Sequence, residues 1–351
     1  MRQYIERHLL DIGLVFVVVV WGASPTLFKI ALQEAQPLTF AIIRFVLLNV
    51  IATVMLLLYA RRRPAIRPFR PRRADLPWLV LSGLCGYGVY QIMYIEGLAH
   101  STAFAAALFG STTPLWSVVL LASLRIEHIW RWQWVGILLS LGGVLWFLTS
   151  APPDLAHAAV DRSLTSADIA LGNALLFVGS GLFAIYGIVN KRLIQRYSAP
   201  ELMAYTLLVG VIALAPFGIV SLATQDWSHV TWRLWVIILY SVIFPIYITY
   251  SIWNWAIGKR GVGYVTLYSY ATPVLGGAVA YLALGEELSR AQIVAGGVVL
   301  GGMLLARWAI VRHARAEARE AGPPPTRASG EPDVGSGRTA AASEPLIPPR
   351  R

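Results

Sequence analysis

Apolar runs of about 20 residues, each ended by charges, Pro or Gly, recur along most of this chain, and an α-helix needs about that length to cross a bilayer. Ten such runs are read: Leu10 to Leu32, Leu38 to Ala60, Pro77 to Leu98, Thr102 to Leu124, Trp132 to Thr149, Asp168 to Asn190, Pro200 to Leu222, Thr231 to Ala256, Val262 to Leu284 and Ala291 to Val311. The pattern predicts an all-α membrane protein with ten transmembrane helices. The first run has the length of a span and is followed by no small-residue cleavage site, so a cleaved signal peptide is not expected. Residues 313–351 begin His-Ala-Arg-Ala-Glu-Ala-Arg-Glu and continue into a segment with seven prolines. They bury too little apolar surface to fold, so a disordered, basic, Pro-rich cytoplasmic tail is expected.

The stretch from Ser101 to Leu145 returns from Arg260 to Leu304 with its landmarks 159 positions later. Thr113-Pro114 recurs as Thr272-Pro273, Glu127 as Glu286, Arg131 and Gln133 as Arg290 and Gln292, and Leu141-Gly142-Gly143 as Leu300-Gly301-Gly302. Two similar halves of five helices follow, residues 10–150 and 168–311. Placing the N-terminus inside puts 16 Lys and Arg on that side before the tail, including seven Arg from Arg61 to Arg73, against Lys29, Arg162, Arg233 and Arg290 on the other. Because basic residues collect in cytoplasmic loops, both termini are expected there. Five is odd, so the second half enters the membrane in the opposite sense and the five-helix repeats are inverted.

Composition agrees with that picture. The 351 residues are 57% hydrophobic and 13% charged, with a mean hydropathy of +0.61, which suits a polytopic membrane protein rather than a soluble one. Cys85 is the only cysteine, which excludes an intrachain disulfide, a CxxC redox pair and a cysteine zinc site. The net charge of +11 is concentrated in loops and tail, and Pro64, Pro68 and Pro71 interrupt the Arg61–Arg73 cluster. A topogenic loop on anionic headgroups explains that cluster better than nucleic acid does. The expected partners are a small-molecule substrate and the lipid bilayer; no cofactor or metal is expected, and oligomeric state stays open.

Several motifs resemble the EamA-like branch of the drug/metabolite transporter superfamily. Trp21-Gly22 followed by Lys29 looks like its WG…K pattern, and Pro37 to Arg44-Phe45 like its P…R-F start of the second helix. Pro114…Glu127 and Pro273…Leu284-Gly285-Glu286 look like its P…E and P…lgE signatures, each before a glycine-spaced helix. The match covers roughly residues 10–311. It implies ten helices in two inverted repeats around a central cavity, exporting or exchanging small metabolites, with the bacterial cell (inner) membrane as the expected location. The halves also differ: Phe183-Ala184 stands where the first has Trp21-Gly22, and Leu207 stands opposite Arg44 when Pro200 is aligned with Pro37.

Arg44 lies about 10 Å inside the second span, seven residues from its end at about 1.5 Å each. Lipid exposure there would cost at least about 2.5–3.5 kcal/mol, so it should face the bundle or a cavity. Two readings stay open: a site for a substrate carboxylate, or a structural pair with an acid or helix-end carbonyls. Glu96, near the end of the third span, is a proton-coupling candidate, although a pair with Lys29 or Arg44 suits its position better. Glu127 and Glu286 read as caps on the helices that follow them.

Polar-aromatic stripes at helical spacing predict the cavity wall: Trp21 and Ser24; Tyr90, Gln91 and Tyr94; Phe183, Tyr186 and Asn190; Tyr250 and Asn254; Tyr264 and Tyr268. With Arg44 these are the expected substrate-binding residues, suited to an amphipathic solute. Pro25, Pro114, Pro245 and Pro273 interrupt spans and are expected at gates. Gly136, Gly142, Gly143, Gly296, Gly297, Gly301 and Gly302 predict a close seam between the fifth and tenth helices.

Other classes fit less well. No HExxH, DxxxD or GxSxG element lies at membrane depth as a polytopic enzyme would need, and no GxxxxGK[ST] loop serves an ATP-driven pump. No filter-like segment or ring of acids suggests a channel. A nucleotide-sugar or lipid-linked-sugar carrier of the same superfamily remains the nearest alternative, but a phosphorylated substrate calls for several deep cations and only Arg44 is read as deep.

Overall fold

A computed structural model describes the backbone of residues 2–62, 70–124, 130–150 and 165–320, without the side chains of 2–7, 254, 258, 261–264, 266–267 and 313–320. Residue 127, the segment between the halves at 151–164 and the tail beyond Glu320 lie outside it. The chain divides into a unit Met1–Ile310 and a second unit Val311–Arg351, the latter described only to Glu320, as the end of a helix.

Up to Ile310 the chain is a bundle of helices: α1 (Arg2–Ala31), α2 (Pro37–Arg62), α3 (Arg73–Ala99), α4 (Ala103–Ser123), α5 (Arg131–Thr149), α6 (Ser166–Leu193), α7 (Ala199–Thr224), α8 (residues 232–269), α9 (Thr272–Leu284) and the start of α10 (Arg290–Glu320). Among the described residues nine of these are long and apolar enough to cross a membrane, α9 being the short one. The expected boundary between the eighth and ninth spans is not where the backbone breaks. The helix from Thr249 continues through Ser269 and turns at Tyr270 and Ala271, just before Thr272-Pro273. The reason lies in the residues: Gly258-Lys259-Arg260-Gly261 holds no proline to end a helix, whereas Pro273 lacks the N–H that continuing the helix would require.

The same device appears 159 residues earlier, where α4 breaks at Ser111 and Thr112 before Thr113-Pro114. Pro114 and Pro273 thus start helical segments in their first turn rather than kinking continuous ones. A second shared feature was not anticipated. Residues Leu84–Gly88 in α3 and Ile243–Ile248 in α8 both adopt π-helical backbone, again offset by 159. Each lets one extra residue into a turn and loosens the helical ladder where the helix borders the interior.

Two large apolar clusters hold the bundle, with a smaller one around Leu10, Leu14, Ala256 and Val265. One, around Phe28, Phe40, Leu98, Phe109 and Phe147, lies near the α1–α2 turn. The other, around Leu48, Leu56, Leu193, Leu207 and Leu214, lies toward the far end of α2. Leu138, Leu145, Ile212 and Leu282 are exposed on the outside, as residues facing lipid are. Because lipid is as apolar as leucine, helix association must come from close packing and buried polar bonds. The α5–α10 seam shows both. A Cβ on Gly136 would stand 2.5 Å from the Ala306 nitrogen, one on Gly302 would stand 2.5 Å from the Ser140 nitrogen, and Ser140 Oγ donates to the Val299 carbonyl at 2.6 Å. Gly143 also faces α10, against Val299, whereas Gly296 meets Phe104 and Gly142, Gly297 and Gly301 meet nothing within 4 Å. The glycine pattern therefore marks the seam only on one face of each helix.

Candidate functional site

A cavity of about 690 Å³ lies between the halves. Trp21, Ser24, Arg44, Tyr90, Gln91, Tyr94, Phe183, Tyr186, Asn190 and Tyr250 all line it. Pro25, Pro114 and Pro245 join them, with the π-helical residues Gly86, Tyr87, Ile246 and Tyr247. Pro273 is buried instead. Tyr268 is elsewhere: its hydroxyl donates to Asp11 Oδ1 at 3.1 Å, so it belongs to the contact between α1 and the helix from Thr249. The side chains of Asn254 and Tyr264 are outside the described residues. Phe45, Met55 and Met203 line the cavity without having been assigned to it from sequence; as ordinary apolar residues they carry no distinguishing pattern, whereas Thr272, on the helical stripe with Tyr264 and Tyr268, lines it too.

The walls are aromatic and rigidly interlocked. Tyr90 packs on Phe183 at 4.9 Å and Phe183 stacks on Tyr186 at 5.2 Å. Trp21 meets Tyr250 at 5.8 Å and Trp253 at 4.9 Å. Polar tips are tied into the frame: Trp21 Nε1 donates to Thr249 Oγ1 at 2.8 Å, the Tyr87 and Tyr186 hydroxyls share a bond at 2.8 Å, and Ser82 Oγ donates to Asn190 Oδ1 at 2.6 Å. Such pairing is what buried polar groups require in a membrane interior.

Arg44 is the exception. It is 6% exposed, its guanidinium carbon stands 4.6 Å from the Phe28 ring centre and 5.3 Å from that of Phe45, and its Nε has no hydrogen-bond partner. No acid pairs with it among the described residues. Gln91 Nε2, in the same cavity, is also without a partner.

The cavity reaches exposed Ile194 and Ala199 at the end of the bundle where α6 closes with Lys191 and Arg192. The other end is shut. Lys29, 3% exposed, donates to Glu286 Oε1 at 3.1 Å and to the Ser101 carbonyl. Glu286 in turn accepts from the Ala103 amide at 2.9 and 3.0 Å and from Phe104 at 3.4 Å. This corrects the expected role of Glu286: it caps α4, from the other half, and not the helix after it, whose start is capped by Ser289 and Gln292. Gly285, in the left-handed region at φ 67°, turns the chain so that the carboxylate can reach inward. Glu127 lies outside the described residues. Glu96 pairs with neither Lys29 nor Arg44; it borders a separate hollow with Leu38, Pro216 and Ser221. Arg307 is a further charge within a span, in α10, partly buried and outside the cavity lining. Among the described residues no cluster of His, Cys, Asp or Glu could hold a metal.

A helical bundle of membrane-spanning length around a central amphipathic cavity, closed at one end, is the architecture of an integral membrane carrier. The EamA-like transporter family model matches residues 9–149 and 170–308, and the chain belongs to that family, whose fold has two repeats. Similar proteins include a probable amino-acid metabolite efflux pump of Salmonella typhimurium, 26% identical over 300 residues that cover 82% of this chain and 91% of the relative. Another is a probable terminal-alkyne amino-acid exporter of Streptantibioticus cattleyicolor, 25% identical and covering 90% and 97%. A solved crystal structure shares the fold with a TM-score of 0.54 at 18% identity, covering 85% of this chain and 96% of that one.

Proposed function

We propose that this carrier exports or exchanges amphipathic solutes bearing a carboxylate, with the amino-acid metabolites named for its relatives as the class to test first, and that Arg44 binds the carboxylate. The observation that carries this reading is the unpartnered Arg44 in the cavity wall. A buried ion costs several kcal/mol unless it is paired. No protein group among those described takes that role, so a ligand anion is the partner that makes the position favourable, and the planar fork of Arg suits a carboxylate.

With the basic end in the cytoplasm, the cavity faces inward and the Lys29–Glu286 contact closes the outer end. Alternating access then requires that contact to open as the inner end closes, one repeat rocking against the other around the site. The breaks before Pro114 and Pro273 and the π-helical turns at Gly86 and Pro245 are the places where the helices can bend.

The test is uptake of labelled amino acids and carboxylate metabolites into proteoliposomes, with and without an imposed pH gradient, comparing the intact protein with Arg44→Ala and Arg44→Lys. Saturable uptake lost in Arg44→Ala, with the variant still monodisperse and folded, is the expected result. Undiminished carboxylate uptake by folded Arg44→Ala would refute the assignment.

A further inference from the structure

We infer that the site selects monoanionic carboxylates with an aromatic or bulky apolar body, their amine absent or acylated, over the corresponding free zwitterionic amino acids. This rests on the carboxylate reading of Arg44 and sharpens it.

Arg44 is the only ionised side chain among the described residues lining the cavity. Every acid whose side chain is described near the bundle interior is engaged or elsewhere: Asp11 with Tyr268, Glu34 with Thr231, Asp75 with Arg196 and Tyr197, Glu286 with Lys29, and Glu96 at its separate hollow. A monoanion would therefore neutralise the site. A zwitterion would leave it with the charge it had before, and would also bring an ammonium into a place that has no carboxylate to receive it.

The hydrogen-bonding groups point the same way. Two acceptors at or behind the wall are already engaged: Asn190 Oδ1 accepts from Ser82, and Thr249 Oγ1 accepts from Trp21. Ser24 Oγ, for its part, donates to the Val20 carbonyl. Two of the unsatisfied atoms in the lining, Arg44 Nε and Gln91 Nε2, can only donate; the third, Thr272 Oγ1, can do either. A carboxylate accepts and does not donate, so it satisfies the two that an ammonium cannot.

An ammonium over the faces of Trp21, Tyr90 or Tyr250 would gain a cation–π contact, worth about 2 kcal/mol or more when desolvated. Removing that ammonium from water costs several kcal/mol, so the rings alone do not recover the loss. For an uncharged aromatic body the same rings offer stacking with no such cost. The volume of about 690 Å³ is also ample for such a body beyond a small amino acid, since drug-sized ligands occupy pockets of about 300–1,000 Å³.

The experiment uses the purified full chain in detergent and in proteoliposomes, with N-acetylphenylalanine, 3-phenylpropionate, phenylalanine and phenethylamine as probes. Binding is read from quenching of tryptophan emission, with Trp21 in the cavity wall, and transport from uptake of the labelled probe. The expected result is binding of N-acetylphenylalanine and 3-phenylpropionate at least about tenfold tighter than phenylalanine, no binding of phenethylamine, and loss of the tenfold preference in Arg44→Gln. If phenylalanine binds and moves as well as its N-acetyl form, in an Arg44-dependent way, the selectivity is overturned while the carboxylate role stands. If phenethylamine competes with the carboxylates, the charge argument fails. If no carboxylate binds or moves although the protein is folded, both readings fall.

Discussion

Substituting Glu286 by Gln should destabilise the protein far more than its place in a short connection suggests. The side chain is almost fully buried, at 1% exposed, and faces a Lys29 amine that is 3% exposed. Glutamine keeps a carbonyl oxygen that can still accept from the Ala103 and Phe104 amides, so the substitution removes the charge while preserving much of the cap. What remains is a lysine in a water-poor interior that has lost the Glu286 charge. Breaking a buried pair from one side costs about 3–5 kcal/mol. Lys29→Met should cost less, about 2 kcal/mol, because the orphaned carboxylate would keep charge-assisted bonds from those two amides and the favourable field at the start of α4. The double variant removes both charges and should lie within about 1 kcal/mol of the intact protein. The three values imply a coupling of about 4–8 kcal/mol, to be measured as a double-mutant cycle by denaturant unfolding in detergent micelles. Additive single effects, or a Lys29→Met cost above that of Glu286→Gln, would refute the reasoning. Because this contact closes one end of the cavity, Glu286→Gln should also shift the population toward the state open at that end, by about 150-fold for 3 kcal/mol.

Three further outcomes follow from the packing. Arg44→Ala should reduce carboxylate uptake by at least about a hundredfold, two charge-assisted bonds being worth about 3 kcal/mol or more, yet leave stability unchanged or higher, since an uncompensated buried charge disappears; parallel uptake and unfolding measurements check both halves. Gly136→Ala should cost about 3 kcal/mol or more, because its Cβ would stand 2.5 Å from backbone nitrogen of α10, whereas Gly301→Ala, with nothing within 4 Å, should be neutral or stabilising by up to about 1 kcal/mol. Glu96→Gln, outside the cavity, should keep uptake within about twofold and leave any dependence on a pH gradient unchanged.

Helix positions and the two-repeat design were legible because a membrane imposes them locally: a span is a run of apolar residues, and the landmarks recur at a fixed offset. The cavity stripes were legible for a related reason. Hydroxyls and amides are costly at mid-depth, so Tyr90, Gln91, Tyr186 and Tyr250 announce a polar interior. Partners across the fold were not. Lys29 and Glu286 are 257 positions apart, and helical periodicity says which face a residue occupies without saying which helix it meets. Tyr268 sits on a plausible stripe yet turns to Asp11 for the same reason. The π-helical turns were hidden because Leu84-Cys85-Gly86-Tyr87-Gly88 and Ile243-Phe244-Pro245-Ile246-Tyr247-Ile248 share little sequence. Glycine in one and proline in the other weaken the α-helical ladder by different routes.

That last contrast bears on how two similar halves can serve one asymmetric solute. The backbone repeats its breaks and its loosened turns, whereas the chemistry does not repeat: Arg44 lines the cavity and Leu207, its counterpart in the second half, is fully buried among apolar neighbours. A second arginine at Leu207 would bring a second cation toward the interior, which a single carboxylate could not neutralise, and the surplus would cost several kcal/mol in every state without bound solute. One charge in one half avoids this. It would tie the carboxylate to the first repeat, leaving the second to move past the apolar body. Leu207→Arg therefore tests the logic directly: it should destabilise the protein by about 3 kcal/mol or more and shift preference toward dicarboxylates, whereas a stable variant with unchanged selectivity would show that the asymmetry has another cause.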